Sequence, residues 1–211
     1  RRFEQMNELV GFDLRKLCWE GPEEELKKTA NQQPAVLAFS VACLELLTKE
    51  GLRPDVAAGL SLGEYTALVA AGVLTFEEAV PLVRKRGTFM QEAVPLGTGG
   101  MAALLGLTAD QVDELCARAA RETGLHVEGA NYNCPGQIVV AGHTGAVERC
   151  MELAAEAGGR AVKLSVTAPF HSRLLAPAGE RLAEALQGVS LREAQVPVVS
   201  NVTADYVTRP D

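Results

Sequence analysis

The run Gly59-Leu60-Ser61-Leu62-Gly63 brackets one hydroxyl with two glycines, between a short apolar stretch (55–58) and a helix-like one (64–71). A strand, then Gly-x-Ser-x-Gly, then a helix is the order of a nucleophile elbow, a sharp turn that lifts the serine side chain clear of the sheet. The following helix aims its first amides and its positive dipole end at any oxyanion formed there. The same five residues also suit a plain helix-entry serine acting as an N-cap. A serine hydroxyl needs a base to attack. Three histidines are present: His126, His143 and His171. The first two fall in or just after predicted strands of a small central lobe, where packing or surface roles suffice. His171, in the loop Ala168-Pro169-Phe170-His171-Ser172, is the candidate outside that lobe. No acidic residue offers itself as a third member. Arg86 adds a planar fork of donors able to meet a carboxylate through two parallel hydrogen bonds, although a lone arginine on a helix is ordinarily solvated.

The elements that must hold these groups follow from capping and periodicity. Asn31 predicts the cap of a helix over 32–50, with Pro34 in its first turn and Gly51 closing it. Leu37, Val41, Leu44 and Leu47 recur at spacings of four and three and mark its buried face, and Cys43 reads as a packing residue. Thr75 with Glu78 forms a capping box for a helix carrying Arg84, Lys85 and Arg86, in which Pro81 predicts a kink or a late start. Composition shifts over the hinge-like stretch 95–100. After it come a strand (101–107), a helix capped by Thr108 (108–121), two strands (126–131 and 137–141), a helix (146–157) and a strand (161–166). That order, βαββαβ, is the ferredoxin-like split arrangement. A helix near 173–186 and a strand over 196–201 suit the first lobe again. The fold expected is α/β, with residues 1–98 and 167–211 forming a discontinuous core and 99–166 an inserted lobe.

Composition narrows the function classes. Of 211 residues, 47% are hydrophobic and 22% charged, as in an ordinary globular enzyme. A net charge of −7 argues against a nucleic-acid partner. No apolar run approaches the ~18 residues that span a bilayer, and no secretory signal opens the chain, so neither membrane nor export is expected. Five cysteines lack C-x-x-C or Cys/His ligand spacing, which predicts reduced thiols in a cytoplasm and no metal site.

The residues around these groups resemble a known family. Gly59 to Leu68 (GLSLGEYTAL) closely resembles the active-site segment of bacterial malonyl-CoA:acyl-carrier-protein transacylases, and Arg86 to Pro95 (RGTFMQEAVP) looks like that family's carboxylate-binding segment. Asn131 to Gly142 (NYNCPGQIVVAG) and Ala168 to Ser172 (APFHS) match two further blocks in the same order. The resemblance implies an α/β-hydrolase-like core with a parallel sheet and the ferredoxin-like lobe inserted. It implies Ser61 as nucleophile and His171 as general base, then acid. Arg86 would hold the malonyl carboxylate, and the Leu62 amide would supply an oxyanion donor. Met90 would line the acyl pocket, and Phe170 would crowd an α-methyl group, favouring malonyl over methylmalonyl by ~1–3 kcal/mol. Malonyl-CoA and acyl carrier protein are the implied partners, in fatty-acid synthesis, with no cofactor and a monomeric state.

Position 60 is leucine where many members carry histidine. The family's Gly-Gln-Gly segment and its histidine-orienting C-terminal segment are absent, which suggests a chain truncated at both ends. Three rival readings remain: a polyketide-synthase acyltransferase domain, a serine esterase or thioesterase, and a non-catalytic module with a decayed site. Arg84 and Lys85 read either as a docking patch for an acidic carrier protein or as a solvated edge.

Overall fold

A computed structural model of the chain describes residues 1–95, 97–166 and 168–209. Leu96, within the hinge-like stretch, and Thr167, where the return to the first lobe is expected, lie outside the described residues, as do Pro210 and Asp211. The elements run α1 (Arg2–Val10), α2 (Leu14–Glu20), α3 (Glu23–Leu26), α4 (Thr29–Lys49), β1 (Ala57–Ala58), α5 (Leu62–Ala70) and α6 (Phe76–Glu92). Then follow β2 (Gly99–Leu105), α7 (Ala109–Thr123), β3 (Val127–Cys134), β4 (Gln137–His143), α8 (Thr144–Glu156), β5 (Arg160–Lys163), a 3-10 turn at Arg173–Leu175, α9 (Ala176–Leu186), β6 (Val198–Val199) and β7 (Tyr206–Val207). The fold is mixed α/β. Among the described residues no helix is long and apolar enough to cross a membrane.

Two compact units emerge: residues 1–88 with 182–211, and residues 89–181. The division by chain pattern (99–166) and the division by packing differ at the flanks. Packing draws Met90 and Val94 to Leu175 and Ala178, so 89–98 and 168–181 group with the second unit.

In the first unit, Leu37 and Val41 of α4 are buried with Leu74, Phe76, Val80 and Val83. The helix starts at Thr29, earlier than its capping signal predicts. Asn31 lies inside it, and its side-chain amide donates to the Glu25 carbonyl at 2.9 Å rather than capping. The apolar stripe is buried only in its first half: Leu44 and Cys43 are half-buried, and Leu47 is exposed. At the start of α6 the expected reciprocal cap forms, the Thr75 amide donating to Glu78 (2.8 Å) and the Glu78 amide to the Thr75 hydroxyl (3.2 Å). Arg192 also grips Glu78, and these bonds together hold its carboxyl down to about 2. Pro81 does not delay the helix, which begins at Phe76 immediately after the cap. So near the helix start its ring removes one intrahelical bond, to the Glu77 carbonyl. β1 and β6 pair in parallel, Ala57 with Val198 and Ala58 with Val199, and β7 pairs antiparallel to β6. These strands are shorter than the sequence suggests, at two residues each.

The second unit carries a four-stranded antiparallel sheet ordered β3-β4-β2-β5. Helices α7 and α8 supply Val112, Leu115, Val147 and Leu153 to a core shared with Leu104, Ile138 and Val140. Thr108 caps α7 as expected, in a full capping box with Gln111.

Candidate active site

The parallel register of β1 and β6 leads directly into the glycine-flanked turn. Ser61 occupies the N-cap position of α5, yet its side chain makes no capping bond; its hydroxyl accepts instead from Arg86 Nη2 at 3.1 Å. Its backbone sits at φ 54°, ψ −107°, a region that side-chain-bearing residues avoid at a cost of ~1–3 kcal/mol. That geometry distinguishes an elbow from a plain helix entry.

The two flanking glycines do different work. A Cβ on Gly59 would lie 2.0 Å from the Gly63 carbonyl carbon and oxygen, so the chain closes on itself there and tolerates no side chain. A Cβ on Gly63 would meet nothing within 4 Å among the described residues. Gly59→Ala is therefore expected to displace the turn, lowering the melting temperature and slowing any reaction at Ser61 by about a hundredfold, the scale of a 1 Å misplacement. Gly63→Ala should change both little. Thermal melting and reaction rates of the two variants, compared side by side, check this asymmetry.

Asn201, two residues past β6, had no signal in the sequence. The Ser61 amide donates to its Oδ1 at 2.6 Å, and its Nδ2 donates to the Gly59 carbonyl at 2.6 Å. Its own amide donates to Glu64 Oε1 at 3.2 Å.

Arg86 is buried, with 9% of its surface exposed. Its Nη1 donates to Gln33 Oε1 at 2.8 Å, and its guanidinium lies 5.5 Å from the Tyr65 ring centroid. Burial lowers its basicity, while Tyr65 and Glu64 pull the other way. The guanidinium stays charged even so. Both side-chain oxygens it meets in these bonds are neutral. Gly87 explains itself here: a Cβ would lie 2.4 Å from the Thr29 carbonyl oxygen, so its absence lets α6 approach α4, which carries Gln33. Gln33 was also missed in the sequence, its tie to Arg86 spanning 53 positions. The neighbouring Arg84 is no solvated edge, since its guanidinium lies 4.6 Å from the Phe12 ring centroid; Lys85 is exposed.

In the second unit His171 is exposed, at φ 61°. Its loop is pinned on both sides. Pro169 packs so closely on Gly99 that a Cβ there would lie 2.3 Å away, and the Arg173 amide donates to Glu128 Oε1 at 2.6 Å. The Ser172 hydroxyl donates to the Pro169 carbonyl at 2.7 Å. Partial burial pushes the Glu128 carboxyl up, but its bonds from Arg173 and His126 prevail and hold it low. The other two histidines serve the sheet: His143 Nδ1 accepts from the His126 amide at 3.0 Å, and the His126 ring faces Glu128. Phe170 packs beside Met90, which is buried with Val94, Leu175 and Ala178.

Comparison with known proteins supplies the class to which the chain belongs. The chain belongs to the acyl transferase domain family, which it matches over residues 1–211. It is 50% identical over 209 residues to the malonyl CoA-acyl carrier protein transacylase of Bacillus subtilis strain 168, covering 99% of this chain and 66% of that protein. It is 46% identical over 211 residues to the Escherichia coli K12 protein of the same name, covering 99% and 68%. Among solved structures, the malonyl CoA-acyl carrier protein transacylase of Coxiella burnetii superposes with a TM-score of 0.95 at 41% identity, over 99% of this chain and 66% of that one. A type II polyketide acyl-carrier protein in complex with its malonyl-transacylase gives 0.95 at 44% identity, over 99% and 67%. The chain thus spans about two thirds of the length of these relatives.

Proposed function

We propose that the protein transfers a malonyl group from coenzyme A to the phosphopantetheine thiol of acyl carrier protein, through an ester on Ser61, in cytoplasmic fatty-acid synthesis. One observation carries this reading: the buried Arg86 guanidinium touches the Ser61 hydroxyl at 3.1 Å. A malonyl group esterified on Ser61 carries its free carboxylate two bonds beyond the ester carbon, within reach of a cation that already meets Oγ. An esterase has no use for that charge, and an acetyl group cannot exploit it. The names of the relatives, and the carrier protein bound to one of them, support the same donor and acceptor.

The chemistry proceeds in two balanced halves. Ser61 Oγ bonds to the thioester carbon while its proton passes to His171. The oxyanion of the tetrahedral intermediate is met by the Leu62 amide, one of the first-turn amides of α5 that no intrahelical carbonyl can satisfy. The C–S bond then breaks, and the coenzyme A sulfur leaves with the proton from His171. The carrier-protein thiol reverses these steps: it gives its proton to His171, attacks the ester, and Ser61 leaves as the hydroxyl. Met90 and Phe170 shape the acyl pocket, with Phe170 set against an α-methyl group. The scheme calls for no cofactor, the coenzyme A thioester being a substrate.

This reading extends to the architecture: an α/β-hydrolase-like core around the parallel β1–β6 pair, with a ferredoxin-like lobe at 99–166. The β3-β4-β2-β5 order of an antiparallel sheet backed by α7 and α8 supports the lobe. A polyketide-synthase acyltransferase would share every chemical step and differ in its carrier protein.

Intact-protein mass spectrometry after mixing with malonyl-CoA, acetyl-CoA or methylmalonyl-CoA tests the function. A malonyl-sized adduct that disappears on adding phosphopantetheinylated carrier protein is expected, with little adduct from the other two. An adduct that decays in water as fast as it decays with carrier protein would establish a hydrolase instead.

A further inference from the structure

We infer that Asn201 is a positioning residue for the nucleophile, holding the strained turn in the conformation from which Ser61 attacks. The inference rests on the proposed role of Ser61 and extends it to a side chain 140 positions away.

The parallel register sets up the contact. Ala58 pairs with Val199, so the two chains leave the sheet side by side, one into the turn and the other toward Asn201. The carboxamide is a matched donor and acceptor pair, and here it spans the turn. Its oxygen takes the Ser61 amide, and its nitrogen reaches the Gly59 carbonyl, both at 2.6 Å. The Ser61 N–H belongs to the peptide unit that must turn if Ser61 is to leave φ 54°, and the Gly59 carbonyl to the unit before it. A single rigid amide bonded to both therefore resists the rotation that would relieve the strain. Glu64 in turn holds Asn201, accepting its backbone amide at 3.2 Å. The turn, α5 and the chain after β6 thus close one hydrogen-bonded ring.

The clamp also assigns the amides. With the Ser61 N–H committed to Asn201, the Leu62 N–H is the elbow amide left for a developing oxyanion. No aliphatic side chain at 201 reproduces the pair, and aspartate keeps only the acceptor half.

Two measurements test the clamp. Asn201→Ala should slow malonylation of Ser61 at saturating malonyl-CoA by about tenfold or more, since small misplacements of a reacting atom are costly. The half-saturating malonyl-CoA concentration should change little, because Asn201 bonds the turn and not Arg86. Asn201→Asp should recover part of the rate, and the neighbouring Val202→Ala, exposed to solvent, should keep all of it. Amide hydrogen exchange reads the clamp without catalysis: Ser61 should lose protection in Asn201→Ala while the amides of α6 keep theirs. Wild-type acylation rates in Asn201→Ala, or unchanged Ser61 protection, would overturn the inference. A wild-type protein that forms no malonyl adduct would overturn the proposed function instead, and exchange at Ser61 alone would then decide whether the clamp exists.

Discussion

Ser61→Ala is expected to abolish the malonyl adduct and to cut transfer to carrier protein by about a millionfold, the scale on which serine enzymes lose turnover without their nucleophile. The structure makes this a clean substitution. Ser61 makes no capping bond from its side chain, so alanine costs α5 no cap. The backbone conformation at φ 54° is held by Asn201 through main-chain atoms, which alanine retains. The hydroxyl's contact with Arg86 is lost, leaving the guanidinium its bond to Gln33. The melting temperature should therefore move little while activity collapses, and steady-state transfer assays beside thermal unfolding check the pair. His171→Ala should fall in the same direction.

Arg86→Ala is the second large expectation, and its signature is a change of preference rather than simple loss. Removing one partner of a buried charge pair costs ~3–5 kcal/mol, because the other charge remains desolvated and unpaired. For malonyl-CoA this corresponds to roughly two to four orders of magnitude in kcat/KM. An acetyl group has no carboxylate to strand, so its transfer should be unchanged or faster, and the variant should favour acetyl-CoA. Arg86→Lys should rescue only partly. A lysine supplies the charge as a point, without the planar fork that bonds Gln33 with one arm and Ser61 with the other. Parallel kcat/KM measurements on malonyl-CoA and acetyl-CoA for the three proteins decide the matter. Equal losses on both substrates would mean that Arg86 supports the fold and not the acyl group.

What could be read in the sequence was what is local. The turn at Ser61, the capping box at Thr75 and the cap at Thr108 each depend on residues within a few positions of one another, and the structure forms them; the βαββαβ order follows from the run of such local signals. Capping chemistry misled at Asn31, because α4 starts at Thr29 and the Asn31 amide is drawn to the Glu25 carbonyl. Periodicity overreached at Leu47, which continues the spacing of Leu37 and Val41 but runs beyond the residues they pack against. Gln33 and Asn201 were invisible for a different reason. Each acts through a partner 53 or 140 positions distant, and neither type stands out on a helix or after a strand. The roles of Gly59 and Gly87 likewise depend on which backbone comes to lie against them: the Gly63 carbonyl in one case and the Thr29 carbonyl in the other.

The central claim is that one hydroxyl, one imidazole and one guanidinium act on the same acyl group. A crystal structure of the malonylated protein tests it directly. The expected result is an ester on Ser61 Oγ, a His171 ring nitrogen within about 3.2 Å of that oxygen, and the malonyl carboxylate bonded in parallel to two nitrogens of Arg86. An ester on another residue, a His171 ring out of reach of Ser61, or a malonyl carboxylate lying in solvent away from Arg86 would contradict it.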